Sequence, residues 1–165
     1  MTTLLLPTNL RESSDRIDAL ARPDLDGMND LLRQEIAVSD AYRRVMELMP
    51  HDRCVGEWIR IRSEHQRAVT MLAIRIRLTG GEPVDPSRAW RMSALTMFSI
   101  RPKTALASLL RDLIRAEEHL ARCYEEILEA QELSSEAHEF ARADFLPRCR
   151  EHIAVLSRLH EECDA

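Results

Sequence analysis

The chain has 165 residues, 45% of them hydrophobic and 31% charged, with only four glycines and 4% aromatics. That is enough chain for one core without staples, and the composition excludes a disordered, collagen-like or glycine-punctuated β architecture. Twenty-eight acidic against 23 basic residues leave a net charge of −5. The basic residues stand singly among acids, which argues against a nucleic-acid partner. No apolar stretch approaches the ~18 residues of a membrane span, and the apolar run at 4–6 is too short for a secretory signal. The expectation is a cytoplasmic, all-α protein.

Residues 1–23, with Pro7, Pro23 and a short polar-apolar stretch at 9–21 that could be a single loose helix, read as an N-terminal appendage to a bundle domain at 24–163. From Asp24 the positions Leu25, Met28, Leu32, Glu35, Ser39, Tyr42, Met46 and Met49 keep a 3,4 spacing. This predicts a helix over 24–49 with one stripe turned inward. Pro50 ends it by pushing the preceding residue out of the α region, and Asp52 is placed as the N-cap of a second helix over 52–79. The second stripe runs Val55, Trp58, Arg62, His65, Val69, Leu72 and Ile76, before Gly80 and Gly81 supply the left-handed residue that closes a helix. Residues 80–101 form a crossover long enough to let the helices on either side run parallel. Pro102 fits the first turn of a third helix over 102–131, with the stripe Leu106, Leu110, Leu113, Glu117, Leu120, Tyr124 and Ile127. Ser134 and Ser135 cap a fourth helix over 135–162, whose stripe is His138, Ala141, Phe145, Cys149 or Arg148, His152, Val155 or Leu156, and Leu159. Pro147 lies inside it and predicts a lost hydrogen bond and a bend. The sum is a four-helix bundle with short, long and short connections.

The chain repeats itself. A shift of 82 residues lays Glu35 on Glu117 and Tyr42 on Tyr124, and a shift of 87 lays Glu64 and His65 on Glu151 and His152. Each shift recovers a polar residue inside an apolar stripe, so a helical hairpin is written twice. In an antiparallel hairpin, residues equidistant from the turn lie at one height. The midpoint of 35 and 65 is Pro50, and that of 117 and 152 falls between Ser134 and Ser135. Glu35 is therefore expected to face His65, and Glu117 to face His152, in one interior. Two carboxylates and two imidazoles at one level form a donor set suited to Fe(II), Mn(II) or Zn(II). Cys54, Cys123, Cys149 and Cys163 form no Cys-x-x-Cys pair and read as free thiols of a reducing compartment.

Over residues 25 to about 160 the sequence resembles the ferritin-like superfamily, most closely the bacterial ferritin-like bundles of unknown function. The duplicated hairpin, the long crossover, the spacing from Glu35 to Tyr42 and from Glu117 to Tyr124, and the histidines at 65 and 152 carry the resemblance. It implies Glu35, His65, Glu117 and His152 as metal ligands, with Tyr42 and Tyr124 beside them. It also implies self-association, a homodimer first. The family's two bridging glutamates, three residues before each histidine, are replaced here by Arg62 and Cys149. Two carboxylates are lost and a guanidinium is gained. Unit charges ~4 Å apart at an effective dielectric near 20 interact by about 4 kcal/mol, so a cation there opposes a dinuclear centre. A di-iron oxidase is disfavoured and no catalytic residue is assigned.

Two readings stand. In one, a ferritin-like bundle holds a single Fe, Mn or Zn on Glu35, His65, Glu117 and His152, with Arg62 turned aside. In the other, no cofactor is bound, and the Glu/His/Arg set is a closed polar network that fixes helix register in a structural or stress-related protein. The crossover residues Trp90, Met92, Met97, Phe98 and Ile100 are expected to pack onto the bundle or across a dimer seam. An exposed binding groove is the competing assignment for them.

Overall fold

Four helical arms account for the described chain, residues 8–85, 105–130 and 135–164 of a computed structural model, with side chains described at 25–85, 105–129 and 138–163. They are α1 (Thr8–Leu48), α2 (Val55–Leu78), α3 (Leu106–Ala130) and a composite fourth arm. That arm consists of α4 (Ser135–Phe140), a π-helical turn (Ala141–Phe145) and α5 (Leu146–Asp164). α1 packs along α2, α3 along α5, and α1 joins the two hairpins by packing on α3. The result is the all-α bundle of two antiparallel hairpins that the stripes require.

The inward residues follow the 3,4 spacing closely. Met28, Leu32, Glu35, Ser39 and Tyr42 are buried on α1, and Trp58, His65, Leu72 and Ile76 on α2. Leu110, Leu113, Glu117, Leu120 and Tyr124 are buried on α3, and Cys149, His152 and Leu156 on α5. Each fully buried large apolar side chain contributes about 1.5–3 kcal/mol. This surplus is what allows four polar side chains to sit in the same dry interior.

The boundaries differ from expectation where proline and asparagine-like chemistry compete with periodicity. α1 starts at Thr8, well before the expected 24, and runs unbroken through Pro23. A proline's fixed φ is already helical; inside a helix it forfeits one hydrogen bond and crowds the carbonyl four residues back, a cost that a helix of 41 residues carries here. α1 stops at Leu48, two residues ahead of Pro50. Asp52 does not cap α2 directly. Its Oδ1 accepts the Cys54 N–H at 2.8 Å in a turn, and Cys54 precedes the first helical residue without a side-chain cap of its own. Pro147 gives a widened turn instead of a simple break, with the Leu146 N–H donating to the Ala141 carbonyl five residues back. Pro102, Ser134 and the apolar crossover residues Trp90, Met92, Met97, Phe98 and Ile100 lie outside the described residues.

α2 ends as Gly80 and Gly81 demand. Gly80 takes φ 82°, its N–H donates to Arg77 O at 3.0 Å, and the Gly81 N–H donates to Ile76 O at 2.8 Å. These two bonds form a Schellman cap. Gly80→Ala is expected to cost about 1–2 kcal/mol through left-handed strain alone, because nothing crowds its Cβ position. Urea unfolding should show the midpoint falling with the slope unchanged.

Candidate metal centre in the bundle interior

Each of the four arms sends one polar side chain inward. Glu35 comes from α1, His65 from α2, Glu117 from α3 and His152 from α5, all 0–2% exposed. His65 lies between the carboxylates, with Nδ1 2.7 Å from Glu35 Oε2 and Nε2 2.8 Å from Glu117 Oε1. Each tyrosine serves the opposite hairpin. The Tyr42 hydroxyl donates to Glu117 Oε1 at 2.7 Å, and the Tyr124 hydroxyl donates to Glu35 Oε1. Tyr42 also stacks on the His65 ring, with centroids 5.7 Å apart.

His152 completes the group edge-on to His65, at 5.0 Å between centroids. Its Nδ1 lies 3.3 Å from Glu117 Oε1, within ion-pair range but not aligned as a hydrogen bond. Its Nε2 lies 2.9 Å from Glu64 Oε2. A carboxylate only accepts, so Nε2 carries a proton towards Glu64, and Nδ1 faces the interior. Among the described residues four buried side-chain atoms are without hydrogen-bond partners, Trp58 Nε1, Arg62 Nε, Glu117 Oε2 and His152 Nδ1. The last two belong to side chains in the centre of the bundle.

The field at the centre is set by the carboxylates. Burial opposes the charge on His65, but Glu117 and Glu35 outweigh it and hold the ring protonated, with its pKa raised to about 10. Burial likewise opposes ionisation of Glu117, yet His65 and the His152 contact bring its pKa down to about 2. Burial, then Glu117, keeps the Tyr42 hydroxyl a proton donor, and burial with Glu35 does the same for Tyr124. Burial first, then the Glu117 and Glu35 charges, push the Cys149 thiol far above its ordinary range. Cys149 is thus a protonated core residue and not a thiolate ready for a metal.

The four expected residues meet at one level, and both hairpin pairs face each other. Donor atoms of His65, Glu117 and His152 lie within 4.8 Å of one another. Glu35 stands on the far side of the His65 ring, where it fixes that imidazole through Nδ1. Arg62 is half-buried, its Nε has no hydrogen-bond partner, and among the described residues no ion pair joins it to Glu35 or Glu117. The guanidiniums that do reach the network belong to Arg60 and Arg148, through Glu64. Glu64 is the participant that the stripe does not reveal. It directly precedes His65, so it projects from the flank of α2 towards α5 and meets His152 there. The repeat pairs it with Glu151, but Glu151 is exposed and plays no such part.

No protein-family profile and no curated protein matches the sequence. Among solved structures, DpsC from Streptomyces coelicolor superposes with a TM-score of 0.72 at 15% identity, covering 85% of this chain and 84% of that one. At this identity the likeness is one of fold, and it defines the chain as a ferritin-like helical bundle.

Proposed function

We propose that this ferritin-like bundle binds one divalent transition metal, iron, manganese or zinc, on Glu117, His65 and His152. The observation that carries this is the pair of unpartnered buried atoms, Glu117 Oε2 and His152 Nδ1, beside His65 Nε2. A buried polar atom without a partner costs about 1–3 kcal/mol, and a cation supplies the partner. The surroundings support the same reading. Each imidazole turns one nitrogen to Glu117 and the other to an orienting carboxylate, Glu35 for His65 and Glu64 for His152. That is how metal-binding histidines are held in their tautomer. Charge agrees as well: a divalent ion would take the place of the His65 proton against the Glu117 carboxylate. Bound there, such an ion supplies Lewis acidity or redox capacity according to its identity. Arg62 and Cys149 leave too few carboxylates for a second ion.

A metal-free reading is favoured by one observation, the unbroken hydrogen-bonded chain from Tyr124 through Glu35, His65 and Glu117 to Tyr42. Anaerobic loading with Fe(II), Mn(II) or Zn(II), followed by desalting and elemental analysis, decides between them. One ion per chain is expected, abolished in His152→Ala and weakened about 10–100-fold in Glu35→Ala, which loosens an orienting group. Metal at buffer level in the wild-type chain would establish the closed network instead. Self-association, as dimers first, belongs to the same reading and is supported by exposed Ile59, Ile74 and Leu78 on α2. No described helix is long and apolar enough to cross a membrane, which accords with a cytoplasmic setting, and the acidic balance accords with partners other than nucleic acid.

A further inference from the structure

The centre is sealed on nearly every side. Glu35, His65, Glu117 and His152 are at most 2% exposed, and Tyr42 and Tyr124 are fully buried. Of the described side chains that hydrogen-bond to these ligands, Glu64 alone reaches solvent, with 29% of its side chain exposed. Its two oxygens face opposite ways along that path. Oε2 accepts from His152 Nε2 at 2.9 Å on the inside, and Oε1 accepts from Arg60 Nη1 at 2.8 Å on the outside.

The two arginines at this mouth are held very differently. Arg148 is a fixed wall. It donates to the Glu64 carbonyl at 3.2 Å, pairs with Asp144 at 2.6 Å and lies over the Phe145 ring, with only 13% of its side chain exposed. Arg60 is 38% exposed, and its partners are all side chains. It binds Glu57 at 3.0 Å and Glu64 at 2.8 Å, and it lies 3.8 Å from Glu151. Three carboxylates therefore surround one displaceable guanidinium, in the position a hydrated divalent cation would take.

Resting on the metal-binding reading above, we propose that Glu64 is the carboxylate through which a divalent cation enters and leaves the centre, and that Arg60 is the latch that holds this passage shut. A cation arriving at the mouth displaces the Arg60 guanidinium and exchanges water for Glu64 oxygens. When Glu64 lets go of His152 Nε2, the imidazole is free to turn and pass the ion towards Glu117. A latch acts on both directions of traffic. It scales association and release together and leaves the equilibrium constant in place, whereas a residue that only orients His152 changes affinity through release.

The full chain, stripped of metal by a chelator, is mixed with Co(II) under stopped flow, with the visible cobalt absorption followed. Release is then timed into excess EDTA. Arg60→Gln is expected to raise both rates about tenfold at low salt, because it removes the repelling charge and frees Glu64. Its Kd should stay within about twofold of wild type, the signature of a scaled barrier. Glu64→Gln keeps an acceptor for His152 Nε2 but lacks the capturing charge, so both rates should fall about tenfold. Arg150→Gln makes the same change of net charge at an outward pair with Glu125 and should leave both rates unaltered. Rates within about twofold of wild type in both Arg60→Gln and Glu64→Gln would overturn the passage while leaving the centre intact, as would a Glu64→Gln effect confined to release. A wild-type chain that takes up no Co(II) would overturn the binding reading itself, and the passage with it.

Discussion

Replacing Glu117 by alanine should destabilise the metal-free protein by about 3–5 kcal/mol, the cost of breaking a buried charged pair from one side. Glu117 is the common point of the interior. It accepts from Tyr42 at 2.7 Å and from His65 at 2.8 Å, and it faces His152 at 3.3 Å, with no exposure to water. Alanine leaves a buried hydroxyl and an imidazolium without that carboxylate, in addition to a cavity. For a chain of this size the loss corresponds to a fall in Tm of about 10 °C. Glu117→Gln keeps the shape and one acceptor oxygen but removes the charge. It should cost about 1.5–3 kcal/mol, the range for a hydrogen bond to an ionised group. Urea unfolding followed by helical circular dichroism, in the presence of a chelator, measures both. An alanine variant within about 1 kcal/mol of wild type would show that His65 finds its stabilisation elsewhere.

Why the height of this centre was legible in the sequence while its wiring was not follows from what a helical hairpin fixes. Distance from the turn sets a residue's level along the bundle, so the symmetry of 35 and 65 about Pro50 predicts the Glu35 to His65 contact, found at 2.7 Å. The same rule brings Glu117 and His152 to one level, at 3.3 Å. It says nothing about the direction in which a long side chain leans. Tyr42 reaches across to Glu117, and His65 spans from its own hairpin to the other, because rotamers and the gap between hairpins decide those contacts. Glu64 lies off the apolar stripe for the same reason, since a flank residue becomes part of a centre only when the neighbouring arm stands opposite it. Arg62 shows the converse. Its place in the stripe aims it at the cavity on a helical wheel, yet a long stem can leave the axis of its position, and the described ion pairs run through Arg60 and Arg148 instead.

Duplication also explains how the two halves came to share one network. Each hairpin supplies a tyrosine whose hydroxyl serves the other hairpin's glutamate, so neither half satisfies its own carboxylate alone. Separating the halves would leave Glu35 with His65 but without the Tyr124 hydroxyl, and would take both Tyr42 and His65 from Glu117. The crossed hydrogen bonds thus select one register between hairpins whose apolar faces, rich in leucine and alanine, would tolerate sliding.

The stability of the metal-free protein should peak between about pH 4.5 and 6.5 and decline on both sides, with the steeper consequence in alkali. Below that window the relevant group is Glu117, held down to about 2 by His65 and the His152 contact against the penalty of burial. Its ordinary value is about 4.3, so its contribution is complete above that pH and is lost as acid carries the protein down through the folded value. Above the window the relevant group is His65, raised to about 10 by Glu117 and Glu35 against the opposing effect of burial. Its ordinary value is about 6.5, so its contribution is complete below that pH. It is lost as pH rises towards the folded value, where the native state keeps a proton that the unfolded chain has released. The slope of that limb is at most about 1.4 kcal/mol per pH unit, one proton's worth of linkage. Urea titrations from pH 4 to 9.5 should show the decline in wild type and its absence in His65→Gln. A flat wild-type profile above pH 6.5 would mean that His65 is neutral between its two carboxylates. Saturating Zn(II) supplies a second criterion on the same limb. A metal ion takes the place of the His65 proton, and its affinity grows as competing protons leave, so the alkaline decline should shrink or reverse in the loaded protein. An alkaline limb identical with and without zinc would separate the two readings of the centre in favour of the closed network, by thermodynamics alone.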